Sequence, residues 1–600
     1  MGSRLSLTIL LVIVLVLGGI SGCGGDSSSD DGNANPESGD STGDSGGGLG
    51  SNDGSGGGDS GGDESVSRAA AARFLDQATF GATESDVERV RDIGMERWID
   101  QQFDAPMSNW GDKPCYGYGD DDERRDDGCA RTDHFRNHRW FDNALTGPDQ
   151  LRQRVAFALS QIWVVSEKNT GNDFNSHGPH VNWFKVLNEH ALGNYFKLMK
   201  AATKNPMMGD FLDMACSRRP AEGELANENY ARELLQLFTL GIHKRNMDAT
   251  LTRDGNGNPI PVYDGDQVQA FARAFTGWGY SASPKGRDMG KQSQFCIYNN
   301  DYASYKKPMR AGFPKWHDSG AKTLLNGKRL PAGQSAEEDL NAALRNIFNH
   351  PNMAPFVSKQ LIQHLVTSNP SAGYVRRVAR TFAGKGDNTR GDLKAVVRQI
   401  LLDPEARRGD DPAKRQQRDG HLREPILFMT GLIRSLGGEV NPAQTKTNHY
   451  GDGDVDAQWG EYFFNQGKRM GQPLHEPLSV FSFYPPDYVS QHAPELLAPE
   501  FATMNTSTAL ERTNFVDEVV SGAHPYVRFN QREGSEYRRL AKNDPDQLLD
   551  RLDTMLLHGG MSEAMQNEIR SAMSMARSPK DKLAMATYLV ATSPHYQVLH

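Results

Sequence analysis

A stretch of small polar residues near the N-terminus limits how much of this chain can fold. Residues 24–66 are almost entirely Gly, Ser, Asp and Asn, with no aromatic side chain and a single leucine, Leu49. Such a segment cannot bury enough apolar surface to offset the entropy lost on ordering, so it is predicted to be a flexible tether. Treated as a Gly/Ser coil, it has a typical end-to-end reach of about 35 Å. We therefore expect a folded body only from residue 67 onwards.

The residues before the tether have the order of a secretory signal peptide. Arg4 lies in a short basic region, an apolar stretch follows from Ile9 to Leu17, and small residues lead to Ile20-Ser-Gly-Cys23. The apolar stretch is shorter than the roughly 20 residues of a transmembrane helix. The last four residues resemble the lipobox cut by lipoprotein signal peptidase, which implies that residues 1–22 are removed and that Cys23 is lipidated. The alternative is an ordinary signal peptide with an incidental cysteine.

This N-terminus predicts the location and one partner of the protein. Lipidation of Cys23 would anchor the chain to the membrane of the cell envelope after export. Gly24 follows the cysteine, a pattern that resembles lipoproteins passed to an outer membrane where the host has one.

The acidic tether accounts for much of the net charge of −10, and acidic and basic residues are interspersed in the remainder. The sequence contains no basic patch of the kind that would indicate a nucleic-acid partner.

Cysteine usage agrees with export. Besides the anchor, the chain has Cys115, Cys129, Cys216 and Cys296, an even number that an oxidising compartment would pair. Three pairings are possible, of which Cys115–Cys129 with Cys216–Cys296 is favoured; four unpaired thiols are the alternative. No CxxC pair occurs, so neither a thioredoxin-like protein nor a zinc ribbon is indicated.

Helical periodicity dominates the chain after the tether. Apolar residues recur at helical spacing over 151–164, over 187–199, and from about Glu228 to Leu240, where Gly241 is a C-cap signal. A fourth helix is predicted from an N-cap at Asp266 to Phe275. Further helices fit residues 336–349, 353–367, 372–383, 391–402, 422–436, 546–558, 561–576 and 579–592.

Strand signals are scarce. Leu251–Arg253 and Ile260–Tyr263 flank the turn residues 254–258, which predicts a hairpin. Strands do not alternate with helices, so a parallel sheet is disfavoured. The predicted fold is therefore mainly α: a large, irregular multi-helix domain with one small β-hairpin near 251–263.

The charged stretch 403–423 is the clearest internal boundary. It is either an exposed loop within one domain or a linker between two helical halves, residues 67–402 and 424–600. The Pro-, Gly- and aromatic-rich region 441–500 is predicted to be ordered but irregular.

Several local motifs coincide with those of one protein family. They are Arg73–Gly81, Asn227–Gly241, Ala272–Trp278, His317-Asp318 and Thr592–Gln597. Through these motifs the chain resembles the bacterial domain-of-unknown-function 1800 family, and the resemblance spans about residues 68–600. The resemblance implies an exported helical protein. It also implies a partner, because genes of this family often lie beside those of a sulfatase-like exported family, which suggests a joint role in an envelope or extracellular-polymer system. The insertion carrying Cys115 and Cys129 departs from common members, so no family role is assigned to it.

The first candidate catalytic residues lie at the start of the helix that begins at Glu228. Glu228 and Arg232 are four residues apart, as are Asn229 and Glu233, so two polar pairs lie side by side. The next turns are apolar on nearly all sides, which predicts that these polar turns are at least partly buried. Glu228 or Glu233 would act as a general acid or base, Arg232 would hold an anionic group, and Asn229 would bind substrate. The alternative is a structural ion-pair network between helices.

A second candidate is His317-Asp318, in a loop that precedes Ser319-Gly320. A histidine among carboxylates is typical of a general base or of a metal site, and a divalent metal ion is the cofactor class that it suggests. A turn in which Asp318 caps the backbone is the alternative. His190, on a helix predicted over 183–200, and Trp278, at the end of a family motif, are further candidate binding residues.

Other metal signals are weaker. His134 and His138 are four residues apart, but no glutamate follows His134 as the HExxH motif requires. His177 and His180 form another pair. Residues 254–258 begin like a calcium loop, but proline stands where glycine is needed, so a turn is predicted. The folded region contains no Gly-x-Ser-x-Gly, Walker or Rossmann motif.

Two hypotheses follow. The protein is either a lipid-tethered helical scaffold or maturation partner, or an envelope hydrolase or lyase that acts on a polysaccharide or another anionic substrate. The enzyme hypothesis requires Glu228, Arg232, Glu233 and His317 to converge within about 8–10 Å at an open cleft.

Overall fold

The computed structural model describes residues 66–110, 132–167, 178–281, 307–312, 314–384, 389–440, 458–491, 493–529 and 535–600. The signal peptide, the tether, four of the five cysteines and His177 lie outside the described residues. The predictions that concern them therefore stay predictions.

Helices make up most of the described chain, as the sequence predicts. Their bounds are α1 Arg68–Ala78, α2 Glu84–Ile93, α3 Met95–Asp104, α4 Thr132–Thr146, α5 Gln150–Ile162, α6 Gly178–His190, α7 Tyr195–Thr203, α8 Pro206–Phe211, α9 Asn229–Glu233, α10 Gly265–Ala274, α11 Ala336–Phe348, α12 Met353–Leu365, α13 Ala372–Ala383, α14 Leu393–Leu402, α15 Pro404–Arg408, α16 Pro425–Ser435, α17 Gln458–Arg469, α18 Thr506–Ser521, α19 Glu536–Asn543, α20 Pro545–Leu552, α21 Glu563–Ser574, α22 Pro579–Thr592 and α23 Pro594–Gln597. None of the helices in the described ranges is long and apolar enough to cross a membrane.

The strands are short and pair only in twos. They are β1 Trp278–Gly279, β2 Arg310–Ala311, β3 Lys322–Thr323, β4 Arg329–Leu330, β5 His421–Leu422, β6 Glu439–Val440, β7 Val489–Ser490, β8 Ala493–Leu497, β9 Val527–Arg528 and β10 Val598–Leu599. The antiparallel pairs are β1–β2, β3–β4, β5–β10, β6–β9 and β7–β8. The fold class is therefore mainly α.

Local capping explains where several helices begin. At α11, the Ser335 side chain accepts a hydrogen bond from the Glu338 backbone, and the Glu338 carboxylate accepts one from the Ser335 backbone. Asp264 and Gln267 form the same capping box at α10. The cap of α10 therefore lies two residues before the predicted Asp266, because Asp264 reaches the backbone N–H of the third helical residue.

Two predicted helices are interrupted. The helix expected over 183–200 is broken after His190, and α7 begins only at Tyr195, because Asn194 caps the new helix through Phe196 N. The helix from Glu228 continues after α9 as a π-helical turn, Leu234–Thr239, in which Thr239 Oγ1 donates to the Leu234 carbonyl. Single π-turns occur often beside functional sites.

The predicted hairpin is present: Arg253 and Pro259 form a β-bridge, and Ile260 N donates to the Thr252 carbonyl at 3.0 Å. Its turn is closed by Asp254, whose Oδ1 accepts hydrogen bonds from the backbone N–H groups of Asn256 and Asn258. The turn predicted at residues 254–258 is thus observed.

One apolar core runs through the helical body. Residues Glu64–His600 group as one compact unit, and the buried residues belong to a continuous cluster. The charged stretch 403–423 is integrated into this unit, since Asp403 and Arg423 are buried within it. The described residues after the tether therefore group as one compact unit.

Candidate functional site

Helix α10 joins the two groups of residues that the sequence singled out. Gln269 Nε2 donates to Glu228 Oε2 at 2.8 Å, and Arg273, one turn further along α10, binds Asp318. Four residues of helix correspond to a rise of about 6 Å. We call Glu228, Arg232, Gln269, Arg273, His317, Asp318, Lys322 and Asp339 the α10 cluster.

The Glu228 end of the α10 cluster is at the surface. Glu228 caps α9 and forms an ion pair with Arg232, and the two side chains are 36% and 43% exposed. Arg232 first, and then Gln269, lower the pKa of Glu228 below its ordinary value. Both side chains are therefore partly buried, as the sequence predicts, but neither is enclosed in the core.

Glu233 is the exception in this turn. Its Oε2 atom is buried without a hydrogen-bond partner among the described residues, and the same holds for the hydroxyl of Tyr263, which interacts with it electrostatically. Burial raises the pKa of Glu233, although Arg232 opposes that shift. A carboxyl group with a raised pKa is the form that a general acid needs near neutral pH.

The His317 end is buried, and its histidine ring is held on both sides, although Asp339 Oδ1 has no hydrogen-bond partner among the described residues. His317 is 4% exposed, its Nδ1 donates to the Thr276 carbonyl at 3.0 Å, and its Nε2 lies 3.0 Å from Asp339 Oδ2. Lys322 Nζ donates to the same Asp339 oxygen at 2.7 Å. Both ring nitrogens of His317 are therefore held by the protein itself.

Asp318 faces the other way and binds α10. Arg273 donates from Nε to Asp318 Oδ2 at 2.7 Å and from Nη2 to Oδ1 at 3.0 Å, a bidentate geometry. Gly320 N donates to Asp318 Oδ1 at 2.8 Å, as the predicted backbone-capping turn requires. Arg273 and Lys322 lower the pKa of Asp318 against the opposing effect of burial.

The Thr-Gly-Trp motif holds this loop in place. Thr276 Oγ1 accepts from Asp318 N at 2.9 Å. Gly277 has φ +85°, and a Cβ at this position would lie 3.0 Å from His317 Cβ, so only glycine fits. Trp278 is fully buried, with Lys204 Nζ 4.8 Å from its ring centre, so it is a core residue rather than a substrate-binding residue.

Two binding candidates remain, Asn229 and His190. Asn229 Nδ2 donates to Asp213 Oδ2 at 3.2 Å on the protein surface. His190 ends α6, and burial lowers its pKa; in the described structure no hydrogen bond connects it to the α10 cluster.

The structure gives no support to a metal site in the part of the chain that it describes. No group of three or more His, Cys, Asp or Glu side chains is arranged to hold a metal ion in the described residues. His138 packs edge-on against Trp459 between α4 and α17, with ring centres 4.8 Å apart. His180 is buried in α6, and the side chain of its predicted partner His177 lies outside the described residues.

Sequence patterns missed half of the α10 cluster. Gln269, Arg273, Lys322 and Asp339 were not predicted, although Arg273 lies within a family motif and pairs with another. Arg273 could have been found by asking which cation balances Asp318. Lys322 and Asp339 meet His317 only through tertiary packing.

This geometry defines a class of protein: a mainly α-helical body in which a cluster of ion pairs surrounds one helix and joins two sequence motifs across it. The chain belongs to the family described as Protein of unknown function (DUF1800), whose model matches residues 73–598. Neither a curated protein nor a solved structure matches the chain.

Proposed function

We propose that this protein is a lipid-anchored, exported cell-envelope protein whose helical body acts as a scaffold or maturation partner. Its lipidated Cys23 and the tether would hold the body near the membrane, in an outer membrane where the host has one. The system that it serves would be an envelope or extracellular-polymer assembly, with a co-encoded sulfatase-like exported protein as partner.

One observation carries the scaffold role. The histidine and aspartate predicted to be catalytic are already hydrogen-bonded within the protein: both nitrogens of His317 and both oxygens of Asp318 have partners. A general base must have an atom within hydrogen-bond reach of the substrate. A histidine and an aspartate satisfied in this way favour a structural role for this pair, with α10 fixed to the loop at 317–320.

A second candidate, an envelope hydrolase or lyase, is supported by Glu233. Its unpaired Oε2, its raised pKa and the neighbouring Tyr263 and Arg232 provide an acid and a cation at the half-exposed start of the π-turn. An anionic polymer would be its substrate class, since Arg232 is exposed and only singly paired.

Anchoring is tested by fractionation. Cys23→Ser should move the protein from the membrane fraction to the soluble fraction and abolish incorporation of labelled fatty acid. A variant still found in membranes and still labelled would rule out the lipid anchor at this residue.

The scaffold and enzyme hypotheses are separated by complementation of a deletion strain. Glu233→Gln removes the acid with little change in shape, and Glu222→Gln, at an exposed glutamate nearby, is the matched control. A scaffold predicts that both variants restore the envelope phenotype and retain cross-linking to the sulfatase-like partner. Loss of function with Glu233→Gln alone, at normal protein level, would favour the enzyme.

A further inference from the structure

A second polar group lies in the core and shares no residue with the α10 cluster. It consists of Arg154 and Gln161 on α5, His421 on β5 and Glu424 just before α16, whose exposures are 0%, 6%, 3% and 0%. We call these four residues the Arg154 cluster. Arginine and glutamate are rarely buried so completely unless they are paired or bind something.

Part of the Arg154 cluster is internally bonded. Glu424 Oε2 accepts hydrogen bonds from Gln161 Nε2 at 2.9 Å and from Gln472 Nε2. Arg154 Nη2 donates to the His364 carbonyl, and Arg154 attracts Glu424 electrostatically. His421 Nδ1 lies 3.3 Å from Glu500 Oε1.

The remaining polar atoms of the cluster have no partner. Arg154 Nε and Nη1, Glu424 Oε1, Gln161 Oε1 and His421 Nε2 are buried without a hydrogen bond to any described residue. Each such group keeps its full desolvation penalty when it is left unsatisfied. Native proteins leave few groups in this condition unless water or a ligand completes them.

The chemistry of these atoms indicates one kind of ligand. The free N–H groups of a planar guanidinium match a carboxylate oxygen, and a monoanion suits this site better than phosphate because Glu424 and Glu500 already place negative charge nearby. The free oxygens of Glu424 and Gln161 need O–H donors, which neighbouring hydroxyl groups supply.

We propose that the Arg154 cluster binds a small hydroxylated carboxylate, a uronic acid or a related hydroxy acid, with its carboxylate on Arg154 and a hydroxyl on Glu424. This proposal is independent of the α10 cluster and of the anchoring proposal.

An irregular segment closes this site. Gln472 and Tyr484 belong to the chain between α17 and β7. The Tyr484 hydroxyl faces the Glu424 carboxylate, and Tyr484 interacts electrostatically with Glu424 and Arg154. Ser482, in the same segment, has φ +68°, a conformation that costs a non-glycine residue energy. Non-helical segments of this kind open locally at lower free energy than helices, which gives a ligand a route.

The test uses the full chain purified in detergent. Isothermal titration and thermal unfolding are measured with D-glucuronate, D-galacturonate, neutral D-glucose and inorganic phosphate. We expect the uronates to bind and to raise the melting temperature, while glucose and phosphate have no effect. A short oligouronide distinguishes a free acid from the end of a polymer as the source. Bound uronate should also slow hydrogen exchange over residues 473–491.

Two variants assign the binding to this cluster. Arg154→Lys keeps the charge but loses the planar N–H groups, and Glu424→Gln replaces a free acceptor by a donor; each should weaken uronate binding at least about tenfold, or about 1.4 kcal/mol. Glutamine has nearly the same shape as glutamate, so Glu424→Gln should fold even if Arg154→Lys does not. Arg570→Lys, at an exposed ion pair, is the matched control.

The proposal is overturned if no uronate binds at millimolar concentration, or if glucose or phosphate binds equally well. It is also overturned if both variants bind uronate like the wild type. A crystal structure in which ordered waters satisfy all five atoms, unchanged by soaking with uronate, would show that the site is only hydrated.

Discussion

Arg423 Nη2 lies 2.7 Å from Asp76 Oδ2, although the two residues are 347 positions apart in the chain. Both side chains are buried. The same Asp76 oxygen lies 3.0 Å from His558 Nε2, and Arg423 Nε donates to the Tyr596 carbonyl at 2.9 Å. This ion pair therefore joins the motif that opens the folded body to the motif that ends it.

Breaking this pair should destabilise the protein strongly. Asp76→Asn leaves Arg423 buried without its anion, and loss of one partner of a buried pair typically costs about 3–5 kcal/mol. Urea unfolding followed by circular dichroism measures the change. The matched control is Asp546→Asn, whose partner Arg570 and own side chain are 40% and 69% exposed. The control should change the free energy of unfolding by less than about 1 kcal/mol; equal effects of the two variants would contradict the structural role of Asp76.

Buried histidines should make the protein sensitive to acid. His524 Nδ1 accepts a hydrogen bond from the backbone N–H of Val527 at 2.9 Å, and His350 Nδ1 accepts one from that of Asn352 at 3.1 Å. Because an accepting Nδ1 carries no proton, both imidazole rings must be neutral. Burial lowers the pKa of each to about 4.

The sign of the effect follows from linkage. An unfolded histidine has a pKa of about 6.5, so below that pH the unfolded chain binds more protons than the folded one. The contribution of each buried neutral histidine to the free energy of unfolding is complete above about pH 6.5. It is lost as the pH falls towards 4, and the loss reaches about 3 kcal/mol for each histidine. His524→Asn, whose amide oxygen can accept the same N–H, should reduce the slope of unfolding free energy against pH by about one proton. An unchanged slope would refute this assignment.

Helices bounded by local signals were predictable from sequence. The prediction for α13 matches the observed Ala372–Ala383 because Ser371 caps its start and Gly384, at φ +65°, ends it. Such signals act within a few residues of the boundary and need no tertiary contact.

Boundaries set by distant segments were not predictable. The break before α7 depends on residues far along the chain, since Asn194 Nδ2 donates to the Arg390 carbonyl and Tyr195 N to that of Gly391. The π-turn after Glu233 also escaped prediction, because a period of 3.6 residues describes it nearly as well as an α-helix.

The sequence predicted which motifs contribute residues to the candidate site, but not how exposed to solvent those residues are. The sequence pointed to Glu228 and His317 and predicted partial burial for the first, but it did not predict that only His317 would be enclosed in the core. The apolar π-turn that follows α9 is buried, whereas Glu228 and Arg232 are only partly buried. Periodicity shows which way a helix face points but not how deeply the end of the helix is buried.

The preferred cysteine pairing is tested by peptide mapping without reduction. The expected cross-linked peptides contain Cys216 with Cys296 and Cys115 with Cys129. Because the first bond would close a loop of about 80 residues, Cys296→Ser should lower the free energy of unfolding by about 2–4 kcal/mol under oxidising conditions. With reductant present, wild type and variant should be equally stable. A peptide joining Cys216 to either of the other two cysteines, or four free thiols, would refute the pairing.

The contact between α4 and α17 should tolerate no side chain at Gly460. A Cβ at this position would clash with the backbone of His138 and Asn137. The two helices therefore need glycine at the point where they cross. Gly460→Ala should push the helices apart and cost about 1–3 kcal/mol, measured by urea unfolding, even though alanine favours helix. Gly255→Ala, at an exposed turn where an added Cβ meets nothing within 4 Å, is the control and should be nearly neutral. If Gly460→Ala proved as stable as the control, α17 would not approach α4 as closely as the structure requires.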